Sequence, residues 1–132
     1  MELLTHRDWK IVFETLWVLT NISSHSDSNA TTVVARSGAV PILISLQEHF
    51  HHTVRSQSIW CLGNIAGENS KYRDALVEAN IIAGIEKNIF NPESKEILSN
   101  CAWLCSNLCR GRPEVKLEVV KKLTPVVFEL FR

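Results

Sequence analysis

Three tryptophans in this chain, Trp17, Trp60 and Trp103, are each followed four residues later by an asparagine, Asn21, Asn64 and Asn107, and the pairs recur at a fixed interval of 43 residues. An asparagine side chain carries a carbonyl acceptor and an amide donor together, the same two groups that a peptide unit offers. A row of asparagines at regular pitch can therefore hold an extended backbone by its N–H and C=O groups without reading its sequence. An indole face attracts cations, and the gap between two indoles suits the methylene stem and charged end of a lysine or arginine. Three tryptophans make two such slots, one between Trp17 and Trp60 and one between Trp60 and Trp103. Glu68, one helical turn beyond Asn64, adds charge complementarity. The chemistry that this pattern asks for is recognition of an extended peptide rich in lysine or arginine.

These residues share a surface only if matching elements carry them. A period near 43 residues falls in the range where each unit is two or three helices of a solenoid. Helical periodicity flanks every tryptophan, over Trp9 to Ser23, Val54 to Ala66 and Ser94 to Cys109. Between these segments lie two shorter apolar-periodic pieces per unit, Ala30 to Arg36 and Val40 to His49, then Tyr72 to Ala79 and Ile82 to Phe90. Ser37-Gly38 and Asn80 punctuate the short helices, Gly67 is placed to close the second long one, and Asn91-Pro92-Glu93-Ser94 supplies a turn and a cap before the third. Strand signals are weak throughout. The expected organisation is a long third helix of one repeat over 1–25, complete repeats over 26–68 and 69–111, and the start of another over 112–132. Solenoid ends are normally closed by repeats with a polar outer face. Neither end of this sequence has one, so it reads as a section of a longer solenoid that self-associates through exposed ends.

Helical phase decides where the tryptophans point. Each residue turns by about 100°, so the positions one before, two after and five after a tryptophan fall at about 260°, 200° and 140° from it. These hold Leu16, Leu19 and Ile22, then Ile59, Leu62 and Ile65, then Ala102, Cys105 and Leu108, a continuous apolar face. The tryptophans, with Glu14 and Asn21, Gln57 and Asn64, or Asn100 and Asn107, lie opposite it. Stacked repeats align them into a ladder.

Composition narrows the alternatives. The 132 residues carry 14 Lys plus Arg against 14 Asp plus Glu, a formal charge of zero, which argues against a nucleic-acid backbone as main partner. With 45% apolar and 21% charged residues the chain reads as globular. No apolar run approaches the roughly 20 residues of a membrane span, and the first residues lack the layout of a secretory signal. Cys101, Cys105 and Cys109 fall four apart on one helix, but their repeat equivalents are small or apolar packing positions. They read as buried free thiols, with neither metal nor disulfide. His49, His51 and His52 read as a solvated turn, and Lys116, Lys121 and Lys122, interleaved with Glu114, Glu118 and Glu129, as an exposed helix face. No nucleotide loop, catalytic triad or Cys/His pair is present, so neither an enzyme nor a cofactor is expected.

The repeated Trp-x-x-x-Asn helix, with Ser37-Gly38-Ala39-Val40-Pro41 and the run from Trp60 to Gly67, resembles the armadillo repeats of importin alpha, the receptor for nuclear localisation signals. The resemblance covers about Phe13 to Arg110. It implies an all-α, right-handed superhelical solenoid with three helices per repeat, acting in cytoplasm and nucleus in protein import. It further implies that Trp17, Trp60 and Trp103 form the tryptophan array of the major signal-binding groove and Asn21, Asn64 and Asn107 its backbone-binding array. By the same resemblance Gln57 and Asn100 are polar groove residues. Glu68 stands for the acid, typically Asp, that pairs with the key lysine of the signal, and Thr31 for a threonine that assists it. A segment binding importin beta is not found in this sequence, so signal binding is the activity implied. Two other functions compete: an armadillo adaptor for acidic or amphipathic segments, and helical-repeat RNA binding. The adaptor would need cations beside the ladder, where Glu14, Glu68 and Glu96 dominate and Lys10 and Arg110 are the exceptions. The zero net charge disfavours RNA.

Overall fold

Short polar side chains set the helix starts. In the computed structural model, which describes residues 1–132 with the side chain of Ser28 excepted, Asp8 Oδ1 accepts from Lys10 N at 2.9 Å and opens α1, Trp9–Ser23. Asp27 does the same for α2, Ser28–Arg36, through Asn29 N. Pro41 sits in the first turn of α3, Val40–Leu46, where a missing N–H costs nothing. His51 caps α4, His52–Glu68, and Asn69 caps α5, Ser70–Glu78. Helix α6, Ile81–Phe90, follows Asn80. Ser94 Oγ accepts from Ile97 N to open α7, Lys95–Leu108, and α8 covers Leu117–Glu129. A 3-10 turn, Glu2–Thr5, precedes α1. The corners after α2 and α5 use left-handed backbone, at Gly38 with φ 84° and Asn80 with φ 65°, as residues that tolerate this region allow.

The long helices α1, α4 and α7 pack side by side, with α4 in the middle. Helix α3 lies against α4, and α6 lies against α7 and α8, so a second layer underlies the first. Leu16, Leu43, Ile59, Leu62, Ile85, Ile97, Leu104 and Leu108 are fully enclosed between the layers. The periodic face expected of α4 is buried in full, at Ile59, Leu62 and Ile65. Burial of α4 extends well beyond that face, to Ser56, Gln57, Ser58, Cys61, Gly63 and Ala66, because neighbours cover both flanks. Helix α1 has a long-helix neighbour on one flank only. Ile22, expected in the core, is accordingly 38% exposed there, beside exposed Ile11 and Val18.

One further boundary differs from the sequence reading. Helix α4 runs through Gly67 to Glu68, because Asn69 in extended conformation ends α4 and caps α5 at once. The last helix carries Pro125 inside it and spans Leu117–Glu129, within the 112–132 stretch expected to open a new unit. Leu62, with no exposure and packed from both layers, sets a test of the core. Leu62→Ala lowers unfolding free energy by about 2–5 kcal/mol, read from urea denaturation. A loss below about 1 kcal/mol would contradict the packing described.

Candidate functional site

All three ladder tryptophans lie on one surface and keep similar exposures, 40% for Trp17, 36% for Trp60 and 38% for Trp103. Their environments differ. The rings of Trp17 and Trp60 meet edge to face, with centroids 5.7 Å apart and planes at 73°, so the slot expected between them is closed by ring contact. Trp103 turns instead onto the backbone of α4 at Gly63, where a Cβ would collide with Cζ3 and lie 2.6 Å from Cε3. No ring contact joins Trp60 to Trp103 among the described residues.

The asparagines are joints between repeats as well as surface groups. Asn64 Nδ2 donates to Thr20 O at 3.2 Å and to Ser23 Oγ at 3.1 Å. Asn107 Nδ2 donates to Gly63 O at 3.0 Å, and Asn100 Nδ2 to Ser56 O at 3.3 Å and Ser56 Oγ at 2.9 Å. Each of these three bonds reaches a carbonyl 44 residues earlier, one repeat plus one residue. A main-chain carbonyl only accepts, so the amide nitrogen must face the preceding helix. The expectation that both halves of each amide are free for a peptide is corrected by this geometry: the oxygen is what Asn64 retains. Asn107 is 3% exposed, and its Oδ1 already accepts from the Arg110 guanidinium at 3.2 Å. Asn21, on the outermost long helix, has no such bond and is exposed.

Gln57 and Thr31, expected to face the groove, lie beneath it. Gln57 is 4% exposed and donates from Nε2 to Thr20 Oγ1 at 2.8 Å. Thr31 is 1% exposed and donates to Ser23 O at 2.9 Å, satisfying a carbonyl at the end of α1. The reason is the flank: phase alone turns Gln57 outward, but α1 covers that side of α4. Thr20 thus anchors the floor, its hydroxyl holding Gln57 and its carbonyl Asn64.

Glu68, half-buried, lies with Asn64, Gly67, Trp103, Asn107 and Arg110 around a hollow of about 280 Å³. A Cβ on Gly67 would stand 3.1 Å from Asn107 Nδ2. Gly63 and Gly67 together form a bare strip on α4 on which Trp103 and Asn107 rest. Sequence reasoning quoted both glycines inside the Trp60 to Gly67 run without giving them this role. The available signal was two glycines four apart inside a helix, each at a cost near 1 kcal/mol against alanine that only close packing recovers. A second missed residue is Arg73, 1% exposed, whose guanidinium donates to Arg110 O at 2.6 Å and Pro113 O at 3.0 Å. It fixes the backbone where Arg110 enters the hollow.

The remaining clusters have structural partners. His51 Nδ1 accepts from Thr53 N at 3.3 Å, and its ring stacks on Trp9 at 3.6 Å with planes 12° apart, a more ordered place than the solvated turn expected. Burial pushes the Cys61 thiol up to about 11 and the Cys101 and Cys105 thiols up to about 12, while Cys109 is exposed. All four are free, and among the described residues no group of three or more His, Cys, Asp or Glu is placed to hold a metal ion.

Comparison with known proteins gives a consistent picture. Residues 26–67 match the family model for the armadillo/beta-catenin-like repeat. The chain is 38% identical over 112 residues to importin subunit alpha-1b of Oryza sativa subsp. japonica, covering 85% of this chain and 21% of that one. It is 35% identical over 121 residues to importin subunit alpha-6 of Arabidopsis thaliana, covering 92% and 22%. The chain therefore spans about a fifth of the length of these curated relatives. Among solved structures, a designed armadillo repeat protein in complex with the peptide (KR)4 superposes with a TM-score of 0.81 at 23% identity, over 95% of this chain and 50% of that one. The fold is thus the all-α armadillo-repeat solenoid, with three helices per unit.

Two measurements check the site's construction. Gly63→Ala gains helix propensity of about 1 kcal/mol but displaces the Trp103 ring, at an overpacking cost of about 1–3 kcal/mol. Net destabilisation in urea, with a shifted tryptophan emission maximum, is the expected result; a stabilised variant would sink the packing account. Cys109 reacts with iodoacetamide at pH 8 well before Cys101 and Cys105, whose raised values keep them protonated until the chain unfolds. Equal native-state rates at the three thiols would contradict the placement.

Proposed function

Because this chain is built of armadillo repeats and is homologous to the importin alpha subunits over most of its length, we propose that its ladder surface receives lysine- and arginine-rich nuclear localisation signals as extended peptides. The relatives are importin alpha subunits, and signal binding falls to these particular residues. The carrying observation is the line of three exposed indoles beside the asparagine rungs, with Glu68 in the adjoining hollow. Trp17, Trp60 and Trp103 offer aromatic faces to lysine stems, and the freed oxygen of Asn64 accepts from a peptide N–H. Glu68 pairs with a basic side chain in the hollow. Asn21 continues the polar line on α1 and Asn100 adds a polar group two turns before Asn107 on α7, while Gln57 and Thr31 hold the floor from below. Entry of a peptide side chain between Trp17 and Trp60 requires their edge contact to open. A designed protein of the same fold is in complex with the peptide (KR)4, which supports this reading.

In this role the chain works in the cytoplasm and the nucleus, and its cargo partners present basic segments. A second reading, an adaptor for another extended peptide, draws on Arg110, a cation lining the same hollow as Glu68. Titration with a short lysine-run peptide, followed by tryptophan fluorescence, separates the two. Trp60→Ala is expected to weaken binding by roughly tenfold or more, as buried aromatic anchors do, and rising salt should weaken it further. Tighter binding of an acidic peptide than of the lysine run would favour the adaptor, and unchanged affinity in Trp60→Ala would remove the groove from the account.

A further inference from the structure

The side chains that open the helices are carboxylates at α1 and α2, an amide at α5 and a hydroxyl at α7. None of these changes its accepting power near neutral pH. Helix α4, which carries a long helix on each flank, is opened differently. Its cap is an imidazole, His51, whose Nδ1 accepts from Thr53 N at 3.3 Å. His49 repeats the arrangement one step earlier, its Nδ1 accepting from His51 N at 3.1 Å. An imidazole nitrogen accepts only while it carries no proton. Proton uptake turns both acceptors into donors that face N–H groups, and it adds positive charge at the positive end of the α4 dipole.

The surroundings of the pair do nothing to welcome that charge. The His51 ring lies flat on Trp9 of α1, with centroids 3.6 Å apart, and stacks with His52 at 5.1 Å, so it does not turn freely to offer its other nitrogen. An imidazolium there gains a cation–π attraction, but Lys10 already holds its ammonium 6.0 Å from the Trp9 ring centre. Arg55 of α4 donates to His49 O at 2.6 Å, and its guanidinium is neutralised by Glu93 ahead of α7. Glu48, next to His49, is paired with Lys87 of α6. Among the described residues no carboxylate lies within salt-bridge distance of either imidazole. Burial, and then the charges of His51 and Arg55, hold His49 below the ordinary imidazole range.

We infer that the α3–α4 corner is a proton-operated latch: neutral imidazoles at His49 and His51 hold the first turn of α4, and proton uptake releases it. An unfolded chain leaves these rings free to protonate, so it binds more protons than the native one as the medium turns acid. The stability that the latch contributes is present in full above the ordinary imidazole value of about 6.5 and is lost as the pH falls through the lowered value of His49. The loss is confined to the helix start. Gln57 and Asn64 bond to Thr20 further along α4 and hold no group that titrates near neutral pH.

Nitrogen-15 imidazole spectra and amide hydrogen exchange test this on the intact chain. At about pH 7.5 both rings are expected as the tautomer protonated on Nε2, with His49 titrating below about 6.5. Corrected for intrinsic rates, protection of the His51 and Thr53 amides should fall by about fivefold between about pH 7.5 and about pH 5, the loss expected of a helix cap. Ile65, in the body of α4, should change far less. His49→Asn combined with His51→Asn supplies amide oxygens that cap without titrating, and should keep its protection across the same range. A proton on Nδ1 of either ring at about pH 7.5 overturns the latch, as does protection at Thr53 that ignores pH. If the double variant loses protection as steeply as wild type, another group carries the effect and the inference is wrong.

Discussion

Helix α4 has a long helix on each flank, and that sandwich constrains everything else in the molecule. A helix buried on one side can be amphipathic in the ordinary sense. One buried on three sides must satisfy its polar flank residues against its neighbours, and the solution here is to send side-chain amides into the preceding helix. Asn64 and Gln57 both end on Thr20, Asn100 on Ser56 and Asn107 on Gly63. An unpaired polar group enclosed in that seam would cost about 1–3 kcal/mol, so these bonds are requirements of packing before they are features of a groove.

Electrostatics follow from the same geometry. The chain is neutral overall, yet the interior positions of its cations differ greatly. Arg73 and Arg55 are spent inside, on main-chain carbonyls and on Asn88 and Glu93, which removes two positive charges from competition for the surface. Glu68 and Glu96 have no salt-bridge partner among the described residues. Arg110 is the exception, tethered to Asn107 beside Glu68, and it makes the hollow a mixed site instead of a purely acidic one.

The repeat, the approximate helix positions and the outward tryptophans could be read from the sequence because they depend on local spacing. The 43-residue interval aligned α1, α4 and α7, and the stretch Trp9–Ser23 reads directly as a helix. What phase on an isolated helix cannot show is which flank a neighbour covers. Gln57 and Asn64 sit at similar angles on α4 and both bond to Thr20 of α1, yet one is enclosed and the other half-open. Ile22 errs in the other direction, apolar by phase but uncovered. The ring contact of Trp17 with Trp60, and the seat of Trp103 on Gly63, turn on residues one repeat apart: Thr20 carries a side chain where its counterpart Gly63 carries none.

The rungs that reach 44 residues back cross the joints between one repeat and the next. Thr20 O, Ser56 O and Gly63 O receive them, each on the long helix before. Any change of curvature therefore lengthens or shortens the same bonds that space the indoles. In mechanical terms the hinge and the ruler are one part: the superhelical pitch of the chain and the repeat distance it presents to a ligand form a single elastic coordinate.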